Sequence, residues 1–365
     1  YYSNLGTIYL LGTETVTFCT AFTDNGTWSF SGGGGSGTVK PVENLSYSDG
    51  TNSYNFKNLL VTGNANISSV SAESFSIEGS SAVTLTSVLQ TGETETNISG
   101  AGGIILKSDA IFDSNGNEVV FASPISGNDY VFTVDDSNST GSGGFDFSGS
   151  EISVKEFDIG KSATSATSIK LNFTEDFSVS SPVLLHTAAK ISGSAGKTLT
   201  FTKSISSDSD SIMLSFAPTE ADFSVNFALT DGEAISAPVD FSPDSSVSMN
   251  VLRGFECESV TFSSGETIFK KTASESYSFE SLTVSDGAKL TANNSEEIKI
   301  IIKSSWTDNS TASGGGFNAN DSTVQFTDLT STSAALTGNT SFYNLLAKDL
   351  GGKTLVFDGN FTVSG

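Results

Sequence analysis

Arginine occurs once in this chain, at Arg253, and histidine once, at His186; cysteine, methionine and tryptophan occur twice each and proline six times. Each shortage excludes something. Phosphate backbones and anionic membrane surfaces are held by clustered Lys and Arg. With 17 basic residues against 41 acidic ones and a formal charge of -24, nucleic acid is not an expected partner. Cys19 and Cys257 lie far apart, which rules out a metal site of paired thiolates and a disulfide framework, and both read as small buried apolar residues. His186 follows the run Pro182-Val183-Leu184-Leu185 with no G-x-S-x-G elbow to serve, so its expected role is structural or solvent-facing. Nowhere does the chain approach the roughly 18 consecutive apolar residues of a membrane helix, so this segment is not expected to insert into a bilayer. The glycine-rich stretches 32–37 and 141–144 lack the following Lys-Ser/Thr of a phosphate loop, and the G-G-x-G-x-D calcium repeat is absent. The chain begins at Tyr1 without a signal pattern and reads as a mature product or an excised fragment.

What is present is a folded, strand-rich composition. Hydrophobic residues make up 36% of the 365 residues, and 27 Phe argue against a disordered chain despite the abundance of Ser, Thr, Asn and Gly. Apolar residues alternate with polar ones at period two, as in Phe223, Val225, Phe227, Leu229 and in Ile298, Ile300, Ile302, and no long segment keeps a helical period. The class is all-β, with outward Ser and Thr keeping the surface wet. A hairpin is expected from Ala110-Ile111-Phe112 to Val119-Val120-Phe121 around the Asn115-Gly116 turn signal. Three prolines, Pro218, Pro238 and Pro243, fall in the least repetitive stretch, about 206–250, where an irregular rung, an inserted loop or a joint is expected.

Strand elements recur. Cys257-Glu258-Ser259-Val260-Thr261-Phe262-Ser263-Ser264-Gly265 aligns without gaps on Phe279-Glu280-Ser281-Leu282-Thr283-Val284-Ser285-Asp286-Gly287, an offset of 22 residues. That offset suits one coil of a β-solenoid. An F-x-N-L element appears as Phe56, Asn58, Leu59 and as Phe342, Asn344, Leu345, each preceded by a tryptophan (Trp28, Trp306) and a glycine-rich loop. A G-[KE]-T-[LI]-x-F element begins at Gly196 and Gly352, and in part at Gly265. Together they predict one elongated β-solenoid over residues 1–365, in which like residues stack in ladders from coil to coil; coils of about 22 to 25 residues would give roughly 15 turns and a rod on the order of 70 Å. Phe56, Leu59, Cys257, Val260, Phe279, Leu282, Phe342 and Leu345 are the expected repeat core, while Asn58 and Asn344 are either inward amide ladders or ordinary turn residues. Tandem β-sandwiches are the alternative fold, although their repeat lies nearer 100 residues. Gly365 follows a strand without a polar cap, so the expectation is that the repeat continues or that a partner covers that end.

Candidate chemistry is sparse. Asp113, Asn115 and Asn117 place oxygen ligands at alternate positions, as a calcium loop begins, but without the glycine and flanking helices of an EF-hand; plain turn chemistry is the competing reading. Asp135-Asp136 and Asp208-Ser209-Asp210 are further oxygen-rich turns. No other cofactor is indicated. Paired carboxylates for glycoside hydrolysis are available in any acidic β-protein and do not by themselves make a site.

Trp306-Thr307-Asp308-Asn309, Ser322-Thr323-Val324-Gln325-Phe326, Phe342-Tyr343-Asn344-Leu345, Gly351-Gly352-Lys353-Thr354-Leu355 and Phe361-Thr362-Val363-Ser364-Gly365 resemble the degenerate repeats of large bacterial surface proteins, the autotransporter and filamentous-haemagglutinin-like adhesins. The resemblance covers about sixty residues well and the first third of the chain loosely. It implies a right-handed parallel β-helix, export, an extracellular or cell-surface location, and a non-enzymatic role as a stalk or adhesive passenger meeting a host or cell-surface glycan or protein. Two alternatives stand beside it: a filament or sheath subunit that self-associates end to end, and a polysaccharide-degrading β-helix enzyme.

Overall fold

The computed structural model describes residues 104–365, less 107–108, 115, 117, 137–142, 161–167, 271–275, 294–296 and 312–314, and upstream of these the backbone of six short strands between Leu45 and Gly100. No helix occurs among the described residues. Strands pair in parallel with partners one coil away and stack in about ten turns, forming a β-solenoid. A sandwich would require antiparallel partners. The chain divides into two compact units, Tyr1–Ala188 and Ala189–Gly365.

In the first unit the expected hairpin does not form. Ala110–Asp113 pairs in parallel with Ile125–Asp135, matching Phe112 to Val134, whereas Glu118–Phe121 pairs in parallel with Gly144–Phe147, matching Phe121 to Phe147. The Asn-Gly signal marks a corner instead. Four residues separate the strands, enough for the chain to leave one sheet and enter the next. Phe112 and Phe121 then point into the same interior, with ring centroids 5.1 Å apart at an interplanar angle of 82°. A flat hairpin would place the two strands in one sheet and forfeit that edge-to-face contact across the core.

In the second unit the 22-residue match is the pairing register itself: Cys257 lies opposite Phe279, Val260 opposite Leu282, Thr261 opposite Thr283 and Phe262 opposite Val284. Each coil contributes to three sheets. The long strands Glu256–Phe262, Tyr277–Val284 and Lys299–Asp308 serve two of them, bending between Phe279 and Ser281, where the register against Lys299–Asp308 shifts. The stretch about 206–250 carries strands of three or four residues in register, Leu214–Phe216 on Val239–Phe241 and Ser224–Phe227 on Ser248–Val251. Its prolines lie outside those strands and offer carbonyls: Pro238 accepts from the Leu214 amide and Pro218 from the Asp244 amide. A residue without an N–H is thereby kept out of the ladder positions that need one.

The core is a set of ladders. Phe216, Phe241 and Phe262 stack with successive centroid distances of 5.4 Å and 5.4 Å, their planes 18° and 14° apart. All three are fully buried. Burial of each ring contributes about 1.5–3 kcal/mol. Trp306 is buried between Leu282 and Leu336 on adjacent strands, and its indole N–H donates to Thr340 Oγ1 at 3.2 Å. Thr340 in turn donates to Asp308 Oδ2 at 3.1 Å, and Ser310 Oγ donates to Asp308 Oδ1 at 2.6 Å. A buried carboxylate is tolerated here because donors surround it.

Candidate functional site

The residues singled out by sequence divide sharply. Cys257, Val260, Phe279, Leu282 and Phe342 are buried in the second unit. Burial, with Glu256 and Glu258 nearby, pushes the Cys257 thiol up, so it is a packing residue rather than a nucleophile. Cys19 lies outside the described residues. Phe56, Asn58 and Leu59 occupy the strand Asn55–Thr62, with Leu59 opposite Phe75, and only their backbone is described. Asn344 is no inward ladder: it is an exposed strand residue whose Nδ2 donates to Thr323 Oγ1 at 3.4 Å, and Leu345 beside it is half-buried. The amide step of the ladder occurs elsewhere, on an outer face, where Asn360 Nδ2 donates to Asn339 Oδ1 at 3.0 Å.

For calcium, Asp113 ends its strand, while its side chain, Asn115 and Asn117 fall outside the described residues. What is seen is a turn tied to the next coil: the Gly116 amide donates to Asp136 Oδ1 at 2.7 Å and the Ser114 amide to the Asp135 carbonyl at 2.8 Å. Asp208 and Asp210 are exposed. His186 Nε2 stands 3.6 Å from Asp158 Oδ2, on the neighbouring coil of the first unit. Among the described residues no group of three His, Cys, Asp or Glu side chains is arranged to hold a metal ion.

The structure brings together a different set. On one sheet of the second unit the outward positions of successive strands read Ser259, Thr261, Ser263, then Ser281, Thr283, Ser285, then Ser305, Thr307, Asn309, then Ala335, Thr337, Asn339. Their inward neighbours, Val260, Leu282, Trp306 and Leu336, are buried, which fixes the direction of the pleat. Register aligns the columns: Thr261 on Thr283, Thr283 on Thr307 and Thr307 on Thr337; Ser259 on Ser281 and Ser281 on Ser305. The result is a two-dimensional array with repeats of about 4.8 Å between strands and about 6.6 Å along each strand. No position in it is ionisable or aromatic.

At the edge of the array the hydroxyls are engaged. Asp240, opposite Thr261, accepts from Ser263 Oγ at 2.5 Å and from Ser215 Oγ at 2.9 Å. Within the array they are not: the hydroxyls of Thr261, Thr283, Thr307 and Thr337, and of Ser259, Ser281, Ser285 and Ser305, bond to no other group among the described residues. Their donors and acceptors face outward.

The other two sheets of the same coils lack this uniformity. One carries the ion pair of Lys289 with Glu266, at 2.9 Å, directly across a strand pair. There burial opposes the charge of Glu266, but Thr291 and Lys289 hold its carboxyl below the usual glutamate value. On the third sheet the column runs Glu256, Ser278, Ile301, Gln325, Leu346, and Glu256 is bonded to Lys303. A chain merely rich in Ser and Thr would distribute them over all three sheets.

Read from sequence, the outward Ser and Thr are surface wetting. The signal is nevertheless visible as Ser-x-Thr-x-Ser in both halves of the 22-residue match, at Ser259 and Ser281, followed by Ser-x-Thr-x-Asn at Ser305. Comparison of the chain with protein-family models, with curated proteins and with solved structures finds no match.

Proposed function

We propose that the chain is an exported, non-enzymatic surface protein whose β-solenoid serves as a stalk or adhesive passenger in the extracellular space. The observation that carries this reading is the way coils are joined. Registered partners lie 21 residues apart at Val239 and Val260, 22 at Val260 and Leu282, 24 at Leu282 and Trp306, and 30 at Trp306 and Leu336, yet one apolar column continues through all of them. Such a stack lengthens by adding coils, keeps its continuous outer faces and places variation in the loops. That combination suits a spacer that presents a surface. The degenerate repeat resemblance points to the same place. A calcium ion at the Asp113 turn belongs to the same proposal and is tested by titration calorimetry.

The test is location and adhesion together. An antibody raised against the chain should label intact, unpermeabilised cells of its source, and beads coated with the chain should bind host or neighbouring cells. Labelling only after permeabilisation would overturn the reading. Release of new reducing ends from a glycan panel would replace it with the polysaccharide-degrading enzyme.

A further inference from the structure

We propose that the hydroxyl array from Ser259 to Asn339 is an ice-binding face. Its ligand is inferred from what the face presents and what it omits. A Ser or Thr hydroxyl is one donor and two acceptors, the same repertoire a water molecule offers a neighbour. Here the threonine hydroxyls repeat in register over four strands and those of Ser259, Ser281 and Ser305 over three, at about 4.8 Å between strands and about 6.6 Å along each strand. The shorter period lies close to an oxygen–oxygen repeat of the ice lattice. Apart from Ser263, which donates to Asp240, the hydroxyls are not consumed by bonds among the described residues, so they are available to hold a layer of water in that pattern. The threonine methyl groups between them supply apolar contact that disfavours disordered water at the same surface.

The competing occupants need features that the face lacks. A sugar polymer would be expected to meet aromatic rings for its pyranose faces, and none stands among the outward positions. An ionic mineral or a polyanion needs complementary charge. In a chain of formal charge -24 the twelve positions of the array carry no ionisable side chain, the carboxylates of that sheet standing at its two margins, Asp240 opposite Thr261 and Asp358 opposite Thr337, whereas the other two sheets of the same coils carry Glu266 with Lys289 and Glu256 with Lys303. A neutral, periodic array complements a neutral, periodic lattice. One hydroxyl contact to ice is negligible, but many made at once by a rigid sheet combine as a multivalent attachment. The rigidity comes from beneath, where Leu282 and Trp306 are fully buried and Trp306 is fixed by its bond to Thr340.

The experiment is ice recrystallisation in frozen buffered sucrose, scored as grain coarsening in the presence of the purified chain, together with partition of the chain into a slowly growing ice hemisphere. The wild type should slow coarsening and enter the ice. Thr283→Tyr, at the centre of the array, should raise the concentration needed by roughly tenfold or more, because a bulky ring lifts several rungs off the surface. Thr307→Tyr should do the same. Ile301→Tyr, on the same strand as Thr307 but facing out of a different sheet, should leave both readouts unchanged. Unchanged circular dichroism and thermal unfolding for all three variants separate loss of binding from loss of fold. A wild type that coarsens like an albumin control overturns the proposal, as does an equal loss in Ile301→Tyr. Retention on a crystalline polysaccharide without any effect on ice, abolished by Thr283→Tyr, would also overturn it and assign the face to a glycan.

Discussion

Replacing Phe241 with alanine removes the middle ring of a three-ring column. Phe241 is fully buried, stacks at 5.4 Å on Phe216 below and at 5.4 Å on Phe262 above, and meets Phe255 edge-on at 6.3 Å. Truncating a buried Phe to Ala costs about 3–5 kcal/mol through lost transfer energy and the cavity left behind. Two stacked partners place this site at the upper end, since each ring pair contributes about 0.5–1.5 kcal/mol beyond area burial. The backbone cannot close the gap, because Phe241 is pinned in register to Phe216 on one side and Phe262 on the other. A loss of about 4–5 kcal/mol is therefore expected in urea unfolding. In a solenoid each coil contacts only its neighbours, so the loss should be local and broaden the transition. Hydrogen exchange should show it directly: amides of the Val239–Phe241 and Glu256–Phe262 strands lose protection while those of Thr354–Val363 do not. The double variant with Phe262→Ala should fall short of additivity by about 0.5–1.5 kcal/mol. A change below about 1 kcal/mol, or strict additivity, would refute the view that ring ladders, rather than general burial, hold successive coils together.

Three further outcomes follow from the geometry. Gly338 has φ 102°, and a Cβ built there would stand 1.8 Å from the Asp308 carbonyl oxygen, so Gly338→Ala should cost about 1–3 kcal/mol from the backbone alone and more from the clash, read as a lower melting temperature; an unchanged one contradicts it. Glu266, held below its ordinary value of 4.5 by Thr291 and Lys289 against the opposing effect of burial, contributes stability that is present above that value and is lost as pH falls through the lower folded pKa. Its side chain is 29% exposed, so the contribution is about 0.5–1 kcal/mol; the stability gap between wild type and Glu266→Gln should be open at neutral pH and closed in acid, and a gap that persists in acid would contradict the assignment. Peptide mapping after treatment with a thiol reagent should find Cys257 unmodified in the folded chain and modified in urea, since burial both shields the thiol and raises its pKa; labelling of the native chain would place it at the surface.

The architecture is largely legible in sequence, and the candidate site is not. Period-two patterning at Ile298, Ile300 and Ile302 marks the strands, and the Cys257 and Phe279 match marks a register, because an uninterrupted pair of coils stacks residue on residue. Elsewhere the repeat is hidden by coil length: partners of Trp306 lie 24 residues away at Leu282 and 30 away at Leu336. The Asn115-Gly116 turn misleads because local turn chemistry states where a chain bends and not which strand it will meet. Asn344 resembles an inward ladder only by analogy with Asn58, while its exposure follows from standing in the outward column of Lys299 and Thr323. The hydroxyl face escapes sequence reading for a different reason. Ser and Thr are abundant everywhere, so their meaning depends on which ones share a sheet, and that is a property of the fold.

The varying coil length bears on whether that face is incidental. Between Val284 and Asp308, and again between Trp306 and Leu336, residues are added, and each addition could have slipped the next strand by one position. A one-residue slip turns every side chain to the opposite face, which would bury Thr307 or Thr337 and expose Trp306 or Leu336. The buried residues forbid it, since a single exposed Trp or Leu would forfeit about 1.5–3 kcal/mol. Core packing thus dictates that the outward column stays in line, but it does not dictate what stands there. Val, Tyr, Lys or Glu would satisfy the same register, as Glu256, Ile301 and Leu346 do on the third sheet. The register of the sheet that carries the array follows from the apolar ladder beneath it; that ladder leaves the run of hydroxyls above unspecified, and the proposed periodic ligand would account for it.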